Sequence, residues 1–244
     1  DRRAVAFELP GALAAVRAGA RVALLDAADQ VGGMSTTTHR GDFAYDRGGH
    51  ILFVHDGARE AWLRELLGAD LTWVDRPVVS IDDDGVVVPG RYLDRRIDGI
   101  GAPPPLTQGC LSAAELLNGA FGPELVDREF RRYLEKVDGI PLEQILGARA
   151  QKLLAEQYAP NGFWYPAAGV GQLMDAMARA IVAGGGDVLT RMMIESIGHA
   201  DGRVESVSAL GLDGRPRSMS TRTIVAGLPP ATAAQLAFPP APHE

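Results

Sequence analysis

Hydrophobic residues near the start of the chain form two short runs that a helical pattern separates. The segments 2–7, "RRAVAF", and 21–27, "RVALLDA", are apolar on both faces, which is typical of buried strands in a parallel sheet. Between them, "ELPGALAAVRAG" has apolar residues at helical spacing and ends at Gly19. The pattern therefore predicts a strand–helix–strand unit.

The middle of the chain has a different pattern. A helix is predicted over 58–68, followed by short β-like pieces over 71–93 with an acidic turn at Asp82–Asp84. The Pro- and Gly-rich stretch 98–109 predicts a loop, and apolar spacing over 110–158 predicts helices. Within them, Val126, Phe130, Tyr133, Leu134 and Val137 should share one helical face.

The α/β pattern returns near residue 163. A helix carrying Leu173, Met177 and Ile181 should stop at the glycines 184–186, before a β-hairpin region and the apolar strand "TRTIVAG". This order predicts an α/β fold on a mainly parallel sheet, interrupted by an insertion. We expect residues 1–78 and 167–244 to form one discontinuous domain and residues 79–166 to form a separate mixed β/helical domain.

Composition and charge narrow the function classes. The net charge is −7 without a basic block, so nucleic acid and anionic membranes are not expected as main partners. No apolar run approaches the roughly 18–20 residues of a membrane span. The lone cysteine, Cys110, fits a reducing compartment and predicts a cytoplasmic protein. We expect a small-molecule substrate and no metal site; the pattern leaves the oligomeric state open.

Two glycine pairs stand on either side of a polar loop, "DQVGGMSTTTHRGDFAYDRGGH". A plain turn needs one glycine, whereas the pairs Gly32–Gly33 and Gly48–Gly49 indicate backbone lying close to something bulky, such as a cofactor. The first pair follows a strand that ends in an acid, Asp26.

These segments carry a resemblance to a known family. "VALLDAADQVGGMSTT", "FAYDRGGHILF", "YLEKVDGIPLEQI", "FWYPAAGVGQLMDAMARAIVAGGGDV" and "TIVAGLPP" occur in family order over about residues 1–235. They resemble the FAD-dependent amine-oxidase-like superfamily, nearest its protoporphyrinogen-oxidase-like and UDP-galactopyranose-mutase-like branches. The resemblance implies a Rossmann-like FAD/NAD(P)-binding domain with an inserted substrate domain, and FAD as cofactor.

The resemblance also implies roles for residues near the first glycine pair. Asp26 matches the acid that accepts hydrogen bonds from the adenosine ribose. The loop that passes the pyrophosphate and ribityl chain corresponds to Gly32, Gly33, Met34 and Ser35. The alternatives are a surface acid after a strand and an ordinary pair of loop glycines.

Further along, Gly48, Gly49 and His50 match the segment near the isoalloxazine ring, where a neutral imidazole could donate to the flavin. The alternative is a histidine satisfied by backbone partners. Ile194 matches a strand position whose backbone meets adenine. Tyr165 is expected to be structural, and no catalytic residue is assigned.

The chain departs from the family pattern in three places. It has "AFELPGALAAV" in place of the G-x-G-x-x-G turn, with Glu8 where the phosphate would lie at a helix N-terminus. Met34 stands where many relatives carry an arginine, and the C-terminal Gly-Asp return is missing. We therefore expect a shortened member of the family with weakened FAD binding.

Three functions remain open from the sequence. The first is an FAD-dependent oxidoreductase in which the flavin takes a hydride from a small organic substrate. The second is a mutase-like isomerase acting on a nucleotide sugar. The third is a flavin-binding-deficient remnant that acts as a non-catalytic partner.

Overall fold

The computed structural model describes residues 4–52, 54, 56–75, 79–81, 87–89, 111–157 and 162–238. The chain divides into two compact units. The first unit comprises Asp1–Ile51, Asp56–Thr72 and Tyr165–Glu244, and the second comprises Leu52–His55 and Trp73–Trp164. The predicted acidic turn Asp82–Asp84 and the predicted loop 98–109 lie outside the described residues.

A four-stranded parallel sheet forms the centre of the first unit, in the order β13-β1-β2-β9. Its strands are β1 (Ala4–Ala6), β2 (Val22–Leu25), β9 (Asp187–Leu189) and β13 (Ile224–Val225). All of β2 is buried, as its continuous apolar run predicts for a central parallel strand.

Two helices of this unit pack against each other beside the sheet, namely α1 (Leu9–Arg17) and α7 (Gly171–Ala183). Leu173, Met177 and Ile181 are buried in α7, as predicted. The turn after α7 approaches α1 closely, since a Cβ added at Gly184 would lie 2.3 Å from Val16 Cγ1. A side chain at this position would therefore push the two helices apart.

The other elements of the first unit are two antiparallel sheets and two helices. The strands β3 (Thr37–Arg40) and β4 (Phe43–Asp46) form a hairpin. The strands β10 (Met192–Ala200), β11 (Arg203–Gly211) and β12 (Pro216–Ser220) form a three-stranded meander. The helices are α2 (Gly57–Leu67), followed by a 3₁₀ turn at Gly68–Asp70, and α8 (Pro230–Ala237).

The second unit contains short strands and a helical cluster. In this unit β6 (Val79–Ile81) pairs with β7 (Val87–Pro89). The strands β5 (Leu71–Asp75) and β8 (Gly162–Pro166) also pair, and each has residues in both units. The helices are α3 (Ala113–Phe121), α4 (Pro123–Leu125), a π-helical segment (Val126–Arg131), α5 (Arg132–Asp138) and α6 (Gly147–Gln157). Their core includes Leu117, Val126, Phe130, Leu134, Leu142 and Ile145.

The α/β fold class with a parallel sheet is thus confirmed, and the described part of 110–158 is helical as predicted. Among the five residues predicted to share one helical face, Val137 is 44% exposed. It lies in the last turn of α5, which Gly139 ends with a left-handed φ of 72°. The apolar spacing therefore runs on past the buried part of the helix.

Candidate functional site

The turn between β1 and α1 is organised by the carboxylate of Glu8. Glu8 is the N-cap of α1, and its Oε1 accepts a hydrogen bond of 2.8 Å from the Gly11 backbone N–H. Two glycines make room for this side chain. A Cβ added at Gly11 would lie 2.1 Å from Glu8 Oε1, and one added at Gly227 would lie 2.4 Å from Glu8 Cβ. The turn is therefore built around the carboxylate.

A cavity of about 420 Å³, hereafter the β2-end cavity, lies at the carboxyl ends of β1 and β2. Its walls come from the turn after β1, the end of β2, the Gly32–Gly33 loop and helix α7. Five of the residues predicted from the sequence line it, namely Asp26, Gly32, Gly33, Met34 and Ser35. The carboxyl ends of parallel strands are where ligands bind in open α/β sheets.

Asp26 lies at the end of β2 and is half-buried. Its Oδ1 accepts a 2.9 Å hydrogen bond from the Ala28 N–H, which fixes the carboxylate over the following turn. It also lines a second cavity of about 330 Å³, together with Ile194 on β10. The structure thus brings Ile194 next to Asp26, although the two residues are far apart in sequence.

The first glycine pair has backbone angles that favour glycine, with φ of 111° at Gly32 and 56° at Gly33. Gly32 also passes close to α7, because an added Cβ would lie 2.7 Å from Met174 Cγ. Gly33–Ser35 then form a 3₁₀ turn, on which the Met34 side chain is 68% exposed.

The second glycine pair is placed differently. Gly48 and Gly49 are exposed and line neither of these cavities. His50 links back to the first loop, because its Nε2 lies 3.0 Å from the Met34 carbonyl oxygen. A carbonyl only accepts, so Nε2 carries a proton, and a neutral His50 has no second N–H to donate to a flavin. The interpretation of His50 as a backbone-satisfied histidine accounts for this contact.

A polar network that the sequence analysis missed connects the β3–β4 hairpin to the start of α7. Asp46 accepts hydrogen bonds from Thr37 Oγ1 at 2.6 Å, from the Val170 N–H at 3.1 Å and from the Tyr165 hydroxyl. Thr37 Oγ1 in turn accepts from the Gly171 N–H at 2.8 Å. The first N–H groups of α7 are therefore satisfied by the hairpin. The structural role expected for Tyr165 agrees with this contact.

In the second unit, Arg131 is held by acidic neighbours. It donates to Asp127 at 2.6 Å, and to Glu135 and Glu143 at 3.0 Å each. Hydrogen bonds to these carboxylates, Asp127 first, raise the pKa of the guanidinium above its ordinary value. An arginine so engaged would have to break ion pairs before it could bind a substrate phosphate.

The described ranges contain neither a metal-ligand cluster nor a membrane-spanning helix. No group of three or more metal-ligating side chains occurs among these residues. Over the same residues, no helix combines the length and the apolarity that crossing a bilayer requires.

Comparison with known proteins agrees with this geometry. Residues 11–66 match the NAD(P)-binding Rossmann-like domain family, while no curated protein sequence matches the chain. An oxidoreductase from Methanosarcina mazei superposes with a TM-score of 0.71 at 16% identity, covering 96% of this chain and 61% of its own.

Two enzymes of known reaction have the same fold. A reduced UDP-galactopyranose mutase gives a TM-score of 0.66 at 17% identity, with 97% of this chain and 57% of that chain covered. A putrescine oxidase bound to putrescine gives 0.64 at 18% identity, with 97% and 60% covered. This chain therefore spans about 60% of the length of the solved structures it matches.

The fold expected from the family resemblance is thus confirmed. Residues 11–66 match the NAD(P)-binding Rossmann-like domain family, and the chain shares its fold with an oxidoreductase, a putrescine oxidase and a UDP-galactopyranose mutase over about 60% of their length.

Proposed function

We propose that the chain is the cofactor-binding part of an FAD-dependent oxidoreductase of the amine-oxidase or protoporphyrinogen-oxidase type. The observation that carries this proposal is the β2-end cavity, which combines Asp26 with the Gly32–Gly33 loop at the carboxyl ends of parallel strands. When bound, the flavin would take a hydride from a small organic substrate. Residues 1–78 and 167–244 would hold the cofactor, and residues 79–166 would contribute to the substrate side.

The residues at this cavity fit one half of FAD better than the other. The Asp26 carboxylate can accept from ribose hydroxyls while it keeps its bond to the Ala28 N–H, because a carboxylate has several acceptor positions. The diphosphate finds a poorer match, because Glu8 already accepts from the Gly11 N–H. Asp26 therefore suits the ribose of the adenosine half, whereas the turn at Glu8 in the same cavity does not suit the diphosphate.

This mismatch predicts weak FAD binding. Charge-assisted backbone hydrogen bonds contribute roughly 1.5–3 kcal/mol each. If the diphosphate loses two such hydrogen bonds at the start of α1, the binding free energy of FAD falls by about 4 kcal/mol, on the order of a thousandfold in affinity. We expect the chain purified without added flavin to carry well under one flavin per chain, measured from its visible absorption spectrum.

The role of Asp26 is tested by titrating the chain with FAD and following flavin fluorescence. Asp26→Asn keeps an oxygen that can accept from the Ala28 N–H but removes the charge, so FAD affinity should fall about tenfold. Asp213→Asn is the matched control, since Asp213 Oδ1 accepts from the Arg215 N–H at 3.1 Å in the same i to i+2 pattern, outside the cavity. Equal affinities for wild type and Asp26→Asn would contradict the assignment.

A second candidate is a remnant that has lost its cofactor and serves as a non-catalytic partner. The specific observation favouring it is the Glu8 carboxylate at the start of α1. Failure to bind FAD even at millimolar concentration, by a chain that is folded by circular dichroism, would select this candidate. A mutase-like function on a nucleotide sugar would need a phosphate-binding arginine other than Arg131, which three carboxylates engage.

The compartment is a further part of the proposal. The lone Cys110 suits a reducing environment such as the cytoplasm. The partner would be a small-molecule substrate, and the residues that carry the chemistry remain unassigned.

A further inference from the structure

The first turn of α1 offers few hydrogen-bond donors to an anion. Helix N-termini bind phosphates through the N–H groups of their first residues. In α1, Pro10 has no N–H, the Gly11 N–H donates to Glu8 Oε1 at 2.8 Å, and the Ala12 N–H donates to the Glu8 carbonyl at 3.3 Å. Of the first four helical residues, only Leu9 is left to donate to a ligand.

The carboxylate that takes this place belongs to the wall of the β2-end cavity, which also contains Asp26. A ligand phosphate at the start of α1 would lie beside the Glu8 charge, and like charges a few ångströms apart repel one another. Turning Glu8 aside would break the 2.8 Å hydrogen bond that its Oε1 accepts from the Gly11 N–H. An anionic ligand must therefore rearrange the turn or accept the repulsion.

We propose that Glu8 occupies the diphosphate position of the cavity from within the chain and sets its ligand class. The site then selects adenine nucleosides without phosphate groups over their diphosphates. This inference rests on the proposed function, since it takes Asp26 to bind the ribose of an adenine nucleotide whose diphosphate would extend into the β2-end cavity. It goes further by stating that the chain's own carboxylate determines which ligands are accepted.

Gly11 and Gly227 leave the space that the Glu8 side chain occupies. A Cβ on Gly227 would meet Glu8 Cβ at 2.4 Å, and a Cβ on Gly11 would meet the carboxylate oxygen at 2.1 Å. Contacts this short leave room for the glutamate only when both positions lack a side chain. The turn is thus shaped to hold the carboxylate against the helix.

The test is calorimetric titration of the purified chain with adenosine and with ADP. The wild type should bind ADP no more tightly than adenosine. Glu8→Gln keeps the length and an oxygen that can accept from the Gly11 N–H but removes the charge, so it should raise ADP affinity about tenfold and leave adenosine affinity unchanged. Glu8→Ser, which retains a good N-cap residue but withdraws the carboxylate, should act in the same direction.

Asp56→Asn is the matched control. Asp56 caps α2 through a 2.7 Å bond from the Arg59 N–H to its Oδ1, away from the β2-end cavity. Neutralising it should change neither affinity. Any gain in ADP binding by this variant would show a general effect of net charge and would overturn the inference.

The remaining outcomes separate this inference from the proposed function. Wild type that binds ADP at least tenfold more tightly than adenosine, with the ratio unchanged in both Glu8 variants, would overturn the role of Glu8 and leave the nucleotide site standing. Failure of every variant to bind either ligand, with each variant folded by circular dichroism, would overturn the proposed function and the inference together.

Discussion

Removal of the Asp46 carboxylate should loosen the attachment of the β3–β4 hairpin to α7. Asp46 accepts from Thr37, from the Tyr165 hydroxyl and from the Val170 N–H. In Asp46→Ala all three donors lose their acceptor. Thr37 would then no longer be fixed to accept from the Gly171 N–H, so the start of α7 would lose two of its capping contacts.

The magnitude follows from these contacts. Hydrogen bonds to a charged group contribute roughly 1.5–3 kcal/mol when buried. Because Asp46 is half-buried and water can replace part of its bonding, we expect a loss of about 3 kcal/mol for the whole cluster. For a chain of this size, that loss lowers the melting temperature by roughly 6–12 °C.

Thermal unfolding followed by circular dichroism measures the loss, and hydrogen exchange localises it. The Val170 and Gly171 amides should exchange faster in Asp46→Ala than in wild type. Asp213→Ala is the control, because Asp213 is a surface acid with a local bond to the Arg215 N–H. A melting temperature within about 1 °C of wild type, with unchanged Val170 protection, would refute the reasoning.

Three further substitutions test other parts of the account. Leu24→Asp places a charge where the side chain is 2% exposed, so it should lower the free energy of urea unfolding by about 4 kcal/mol. Asp26→Asn should lower it by less than about 1 kcal/mol. Similar losses for the two variants would contradict the assignment of Asp26 to ligand recognition. Gly32→Ala should cost about 2 kcal/mol because its φ of 111° strains a side chain; an unchanged urea midpoint would contradict this. Hydrogen bonds from the Ser112 backbone N–H and hydroxyl lower the pKa of Glu115 in the folded chain. The stabilisation that these bonds give is therefore present above the pKa of an unfolded glutamate, about 4.3, and is lost as the pH falls below that value. Glu115→Gln, which removes the titrating carboxylate, should therefore destabilise at pH 7 and much less near pH 3, and an equal effect at both would contradict this contribution.

The fold was predictable where local patterns determine it. The continuous apolar run of β2 specifies a buried parallel strand, and the glycines of 184–186 mark the end of α7. The position of Glu8 at the start of α1 also followed from sequence, because the helix dipole favours a negative charge at a helix N-terminus. That Glu8 also lines the β2-end cavity could be seen only in the structure.

Contacts between distant segments were not predictable. Asp46 and Tyr165 are separated by 119 positions, and neither residue type indicates a partner by itself. The engagement of the His50 Nε2 proton by the Met34 carbonyl likewise depends on how two loops meet. Such pairings arise from tertiary packing, which spacing along the chain does not encode.

The central claim is that FAD binds at Asp26 and the Gly32–Gly33 loop of the β2-end cavity, and amide chemical shifts test it most directly. In spectra of ¹⁵N-labelled chain titrated with FAD, the Ala28, Gly32 and Gly33 amides should shift saturably. The Arg59 and Arg215 amides, which donate to Asp56 and Asp213 outside the cavity, should stay in place. Unchanged positions for Ala28, Gly32 and Gly33 at saturating FAD, or shifts confined to Arg59 and Arg215, would contradict the account.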